Sequence, residues 1–332
     1  MIEFNFEARR KLRAGFVGAG LHAYRNIYPA FRYAPVDLLA IADHHPEKAS
    51  AFARLFGAER WYTNHAEMLE REKLDAVFLC LNFDADGFPR YPPVVVDALA
   101  AGCHVWMEKP PAATTSEVEE MMRAAESAGR YVAVGYKKMF LPTYERVGEL
   151  IRGGQLGRVT SASMRYRLAL PAAAQRDNHK AWTGFMDLCH PASALHMLLG
   201  PTEEVTFRRT GSAGGVGALL RHESGVVTTL HLTGGQAQTS PLERLEIVGE
   251  GANVVVENCA RLIHYRSGGA VGTAGYGRSP TFLGPDSTAP VIWEPEFSLG
   301  QLYNNSLFLE GYAQQIRYFC DCVLENAAPT RG

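Results

Sequence analysis

Directly behind a short apolar run, Leu12–Val17, the chain reads Gly18-Ala19-Gly20-Leu21-His22-Ala23, an order that few folds can use. A first glycine after a strand makes a tight turn, and a second leaves the backbone bare. A small third residue, here Ala23, lets the following helix pack close against the strand. Unpaired amides at the start of such a helix, around Leu21 and His22, favour negative charge, and G-x-G-x-x-A is the spacing that seats a dinucleotide diphosphate. Asp43 closes the next apolar run, Val36–Ala42, where a carboxylate can grip ribose hydroxyls. A carboxylate repels a 2′-phosphate, so NAD is expected; NADP stays possible because His44 and His45 follow. By itself the motif also fits an ordinary tight strand–helix turn.

The surrounding pattern narrows the choice. Short, nearly continuous apolar runs at Ala76–Leu81, His104–Met107 and Tyr131–Val134 suit parallel strands covered on both faces. Between them lie helical stretches with readable ends. Pro46 opens one that Gly57 closes, Pro93 opens one that Gly102 closes, and a Ser116/Glu119 capping box opens one that Gly129 closes. Alternating strands and helices predict a doubly wound parallel sheet. After Phe140 the pattern changes. Thr143 reads as the cap of a helix stopped by Gly153-Gly154, and longer alternating runs follow at Val159–Leu168, Val205–Thr210, Gly225–Leu232, Leu242–Gly249, Ala252–Glu257 and Arg261–Tyr265. One helix, Pro191–Leu199, interrupts them; Ser267–Tyr276 reads as a loop, and a last helix spans Leu307–Leu324. The fold class expected is α/β: an N-terminal Rossmann domain, 1–139, plus an α/β domain, 140–332, with a large open, mostly antiparallel sheet. The last helix is free to pack back on the first domain.

With 332 residues, 47% of them hydrophobic, the chain can build two cores. A formal net charge of −2 gives no field that would attract nucleic acid or a membrane surface. Six scattered cysteines without paired spacing point to reduced thiols, and the first ten residues lack the apolar stretch of a secretion signal, so a soluble, cytoplasmic protein is expected. No metal site is read, since His190 and His196 are six apart and do not share a helical face.

The tract Glu108-Lys109-Pro110 ends an expected strand, and ligands of open α/β sheets bind beyond the carboxyl ends of strands. Leu81 and Asn82 leave a neighbouring strand on the same side. Together with the glycine turn, Asp43 and Ala100-Ala101-Gly102-Cys103-His104-Val105, this tract resembles the glucose-fructose oxidoreductase and inositol dehydrogenase family (Gfo/Idh/MocA). Looser likenesses continue through Gly135–Phe140, Gly153–Gly157 and His190.

The resemblance implies an NAD(P)-dependent dehydrogenase or reductase for a sugar, cyclitol or sugar acid, assembled as a homodimer or homotetramer through the C-terminal sheet. It implies that Lys109 orients a hydroxyl and lowers its pKa, that His190 accepts its proton, and that the Lys109–Pro110 bond can be cis. It places Gly18, Gly20, Leu21, His22, Ala23, Asp43, Leu81, Asn82, Glu108 and Lys109 against the cofactor, and Lys109 and His190 at the substrate. Some relatives instead oxidise and re-reduce one sugar while cleaving or epimerising it, and a non-catalytic binding protein on the same fold is the remaining alternative.

Three departures stand out. The family aspartate four residues before the histidine is Met186 here, while Asp187 sits three before and reads either as the partner of His190 or as a helix cap. The loop 82–93 is longer than usual and is open to a role as substrate wall. Lys137 and Lys138 replace an arginine-containing run. They are either solvated, or Lys137 faces the substrate and selects a carboxylate or phosphate.

Overall fold

The computed structural model describes residues 3–210, 214–267, 288–294 and 305–332. The chain divides into two compact units, Met1–Lys137 with Gly311–Gly332, and Lys138–Glu310.

In the first unit six strands form one sheet: β1 (Leu12–Val17), β2 (Val36–Ala42), β3 (Arg60–Tyr62), β4 (Ala76–Leu79), β5 (His104–Met107) and β6 (Val132–Val134). Their order is β3-β2-β1-β4-β5-β6, and every pairing is parallel. The strand order reverses between β1 and β4, the switch point where such sheets bind ligands. The interior strands are apolar because helices cover both faces: α1 (Pro46–Phe56), α2 (His65–Arg71), α3 (Tyr91–Ala100) and α4 (Thr115–Ala128). Gly57 and Gly129 end α1 and α4 in the left-handed conformation, at φ 78° and 62°.

Several local expectations shift. The capping box of α4 is Thr114 with Glu117, not Ser116 with Glu119; the Thr114 side chain accepts the Glu117 amide and the Glu117 carboxylate accepts the Thr114 amide. Thr114 can cap because its backbone is extended, at φ −134°. Helix α3 starts at Tyr91, so Pro93 lies inside its first turn, where its missing N–H costs no hydrogen bond. Behind the glycine turn the chain winds as π turns over Ala23–Ile27 and as a 3₁₀ helix over Tyr28–Tyr33. Pro29 accounts for this irregularity, because it cannot donate to the hydrogen-bond ladder and its ring displaces the carbonyl four residues back.

The second unit carries an eight-stranded sheet beside α5 (Pro142–Arg152), the short α6 (His179–Trp182) and α7 (Cys189–Leu199). Its strands are β7 (Val159–Tyr166), β8 (Thr202–Arg209), β9 (Val216–His222), β10 (Val227–Leu232), β11 (Glu243–Gly249), β12 (Asn253–Glu257), β13 (Arg261–Tyr265) and β14 (Val291–Trp293). Among the described residues the order is β14-β13-β12-β11-β7-β10-β9-β8, with β14 and β8 at the two edges, antiparallel except for β7 with β10. Alternation along the strands turns Ala162, Met164 and Tyr166, with Leu230 and Leu232, onto a core shared with Leu195 and Leu198 of α7. Thr143 does not cap α5, whose N-cap is Leu141; its buried hydroxyl instead bonds the Cys259 carbonyl at 2.8 Å. Helix α6 is capped by the Asn178 side chain, which accepts the Ala181 amide. After Ser267 the glycine-rich loop expected to Tyr276 lies outside the described residues.

The expected last helix is two: α8 (Asn305–Leu309) and α9 (Tyr312–Glu325), separated where Gly311 turns left-handed at φ 78°. Helix α9 belongs to the first unit, where Phe319 sets its ring edge-on to Phe78 of β4 at 5.6 Å.

Candidate functional site

Gly18 leaves β1 at φ +114°, and a Cβ there would stand 2.2 Å from the Cys80 carbonyl oxygen, so only glycine fits. Around Gly20 nothing lies within 4 Å of such a Cβ. The bare backbone therefore faces open space at the start of a helix, the condition a diphosphate needs. Ala23 is wholly buried, as close packing of helix on strand requires, whereas Leu21 is 62% exposed beside the turn. The Tyr28 hydroxyl donates to the Gly18 carbonyl at 3.2 Å and steadies the turn from below.

Asp43 is tied into the same assembly. Its Oδ2 accepts the Ala19 amide at 2.7 Å and its Oδ1 accepts the His45 amide at 3.0 Å. Each oxygen keeps acceptor capacity for ribose hydroxyls. His44 Nδ1 lies 3.6 Å from Oδ1, and the His44 and His45 rings are 4.0 Å apart. The residues present thus fit NAD at the turn, at the helix start and at the ribose position.

At the carboxyl end of β5, Glu108 is only 4% exposed. Its Oε1 meets His22 Nε2 at 3.2 Å and its Oε2 accepts the Lys109 amide at 3.1 Å. The glycine-turn helix and the Glu-Lys-Pro tract are therefore joined by the contact of His22 with Glu108. A Cβ on Gly135 would stand 3.3 Å from Glu108 Oε1 and 2.9 Å from the Trp106 ring, so the start of the next loop packs directly on this carboxylate. The Lys109–Pro110 bond is cis. Beyond β4, the Tyr91 hydroxyl bridges the amide and carbonyl of Leu81 at 3.0 and 3.1 Å, while Asn82 is exposed. In the long loop that follows, Asp84 Oδ1 accepts the amides of Asp86 and Phe88, and Phe83 pairs with Pro89, making a small self-supported hairpin.

The two lysines part company. Lys138 is buried, with Nζ 2.6 Å from Glu243 Oε2, which overturns the reading of two solvated side chains. Lys137 is half-buried and holds its Nζ 4.6 Å from the centre of the Tyr312 ring, against which His22 also sets its ring at 5.8 Å. Sequence reading missed both Tyr91 and Tyr312. Tyr312 carries no local motif and lies 175 positions beyond Lys137.

In the second unit His190 sits in the first turn of α7, 8% exposed, with Nδ1 buried. Asp187 Oδ1 lies 4.0 Å from His190 Nε2, and the N-cap of α7 is Leu188, so Asp187 does not cap the helix. The Asp187 carboxylate is half exposed.

Fold and turn together define a dinucleotide-binding protein of the two-domain oxidoreductase class. Residues 12–136 match the family described as an oxidoreductase family with NAD-binding Rossmann fold, and residues 144–255 match the GFO/IDH/MocA C-terminal domain. The chain belongs to the Gfo/Idh/MocA oxidoreductase family, and its first unit carries that family's NAD-binding Rossmann fold. Among its relatives are a dTDP-3,4-didehydro-2,6-dideoxy-alpha-D-glucose 3-reductase of Streptomyces violaceoruber, 29% identical over 66% of this chain and 60% of that protein, and a D-apiose dehydrogenase of Paraburkholderia graminis, 27% identical over 86% and 76%. The match spans 47% of a second such 3-reductase, from Streptomyces antibioticus. A dehydrogenase from Chromobacterium violaceum shares the fold at a TM-score of 0.76 with 18% identity, covering 96% of this chain and 89% of that one. An Agrobacterium radiobacter oxidoreductase in complex with NAD+, L-tartaric acid and magnesium does so at 0.75 with 17% identity, covering 97% and 91%. Among the described residues no helix is long and apolar enough to cross a membrane.

Proposed function

We propose that this chain is an NAD-dependent dehydrogenase or reductase that interconverts a secondary alcohol and a ketone on a sugar, cyclitol or sugar acid. The observation that carries the reading is the His22–Glu108 pair, which fixes the Lys109 tract to the helix of the glycine turn at one end of one sheet. NAD, when bound, accepts a hydride from the substrate carbon or returns it. Gly18, Gly20 and the amides behind them hold its diphosphate, and Asp43 takes the ribose hydroxyls in preference to a 2′-phosphate. Leu81, Asn82 and Glu108 flank the path beyond the turn.

The Lys109 ammonium stabilises the alkoxide that forms as the hydroxyl loses its proton. His190 accepts that proton at Nε2, the nitrogen near Asp187, whose carboxylate stabilises the imidazolium. Lys137, held over Tyr312, adds a cation that favours an anionic sugar acid over a neutral sugar. The sugar names of the relatives given above support this substrate class. The thiols, none of them in a disulfide, support a reducing compartment such as the cytoplasm. We also propose that a second copy covers the outer face of the large sheet, where Leu219 and Ile292 are half exposed.

The test pairs NAD with a panel of polyols, sugars and sugar acids and follows nicotinamide absorbance. Lys109→Ala and His190→Ala should each lower kcat/KM by about 10²–10⁴-fold, His190→Ala with NAD affinity unchanged. Bound NAD with no turnover across a broad panel, or full activity in both variants, would refute the assignment.

A further inference from the structure

Helix α7 has a second face. Leu188, Ala192 and Leu195 recur at four- and three-residue spacing and share one side, while His190, two residues on from Leu188, lies about 200° around the helix. That side looks onto a cavity of about 540 Å³ in the second unit, floored by the inner face of β8, β9 and β10. Trp182 and Phe185, edge-on at 5.6 Å, form part of its roof. The helix layer does not reach across the edge strand, so Val205 and Phe207 stay 57% and 52% exposed although their partners Leu220 and Ala218 lie on the core side. The cavity has the size of a small-molecule site and nearly wholly apolar walls.

One end is different. Arg209, last residue of β8, lines the groove, and its Nη2 is buried with no hydrogen-bond partner among the described residues. A buried guanidinium nitrogen left without an acceptor is costly, and a carboxylate is the planar group that fits it best. We propose that this groove is a binding site for an amphipathic monocarboxylate, an aliphatic or aryl-alkanoic acid. Its carboxylate sits on Arg209 and its apolar tail lies along Phe207, Ala218 and Leu220 beneath Trp182. The site is separate from the chemistry assigned to His190 and uses the opposite face of the same helix.

The experiment measures binding of decanoate and of decanol to the full chain by calorimetry, with Trp182 fluorescence as a second readout and Trp182→Phe as its control. Saturable one-to-one binding of decanoate is expected, about tenfold or more tighter than decanol. Arg209→Gln should abolish that preference while leaving the melting temperature in place. Val205→Glu, at the exposed mouth, should weaken both ligands. Equal affinity for acid and alcohol, an unchanged preference in Arg209→Gln, or no saturable binding would overturn the proposal. So would a smaller species in sedimentation velocity for Phe207→Asp, which would make the groove a contact between copies of this chain instead.

Discussion

The Ala19 amide donates to Asp43 Oδ2 at 2.7 Å, so the glycine turn and the acid at the end of β2 form one hydrogen-bonded unit before any nucleotide arrives. Asp43→Ala removes two things: the acceptor for ribose hydroxyls and the partner of a partly buried amide. Dissociation constants for NAD should rise about ten- to a hundredfold, and the selectivity for NAD over NADP should fall. Titration of wild type and variant with both nucleotides checks this; an unchanged ratio would place the ribose elsewhere.

Gly18→Ala tests the turn through sterics alone. Its Cβ would meet the Cys80 carbonyl at 2.2 Å, and its backbone would stay at φ +114°. Relief requires β1 and β4 to separate, at a cost on the order of 3 kcal/mol or more. Chemical denaturation should show that loss together with lost NAD binding. Gly20→Ala, where nothing stands within 4 Å, should keep stability and lose only affinity.

His104 predicts an acid-sensitive stability. Its Nδ1 accepts the Tyr131 amide at 3.0 Å, and burial, then the nearby Arg130 charge, push its pKa down to about 4. The unfolded chain therefore takes up a proton below about 6.5 that the folded chain refuses until about 4. Protons bound to the unfolded state favour unfolding, so this contribution to stability is full above pH 6.5 and falls away towards pH 4. Because the ring is half-buried, solvent screening reduces the effect to about 1–2 kcal/mol. Thermal melts of His104→Gln should flatten over that window, and a variant melting curve parallel to wild type would reject the linkage.

What the residues disclosed in advance follows how locally each feature is encoded. The ends of β1, β2 and β5 were legible because punctuation sits beside them: Gly18, Asp43 and Glu108-Lys109-Pro110. Strand β3 was not, since Arg60-Trp61-Tyr62 is too short to show a period and gains its identity only by pairing with β2. Likewise β9, with Gly217 and Ala218 in its first half, presents little side chain to read. Thr114/Glu117 and Ser116/Glu119 are overlapping frames of one motif, and only backbone conformation selects between them. Of the candidate site, the cofactor half was readable as contiguous motifs. The Tyr312 ring under Lys137 and the burial of Lys138 were not, because each depends on a partner more than a hundred residues away.

That burial supports the last prediction. Lys138 Nζ sits 2.6 Å from Glu243 Oε2 and 3.0 Å from Cys259 Sγ, while Tyr144 and Cys259 both donate to Glu243 Oε1, at 2.6 and 2.8 Å. Burial opposes both charges, yet each partner outweighs it: the Lys138 pKa stays raised and the Glu243 pKa lowered. The Cys259 thiol, pushed up to about 12 by burial and then by Glu243, stays protonated and remains a donor. Removing one member strands the other charge, so Lys138→Met or Glu243→Gln should each cost about 3–5 kcal/mol. The double variant Lys138→Met/Glu243→Leu should recover much of that loss, because an apolar pair of similar volume leaves neither charge behind. The pH course has a fixed sign. A depressed carboxylate stabilises above its unfolded pKa near 4.5 and loses that contribution as pH falls further, so the wild-type advantage over Glu243→Gln should shrink below pH 4.5. Urea denaturation of all four proteins decides it. A double variant no more stable than either single variant would refute the stranded-charge account.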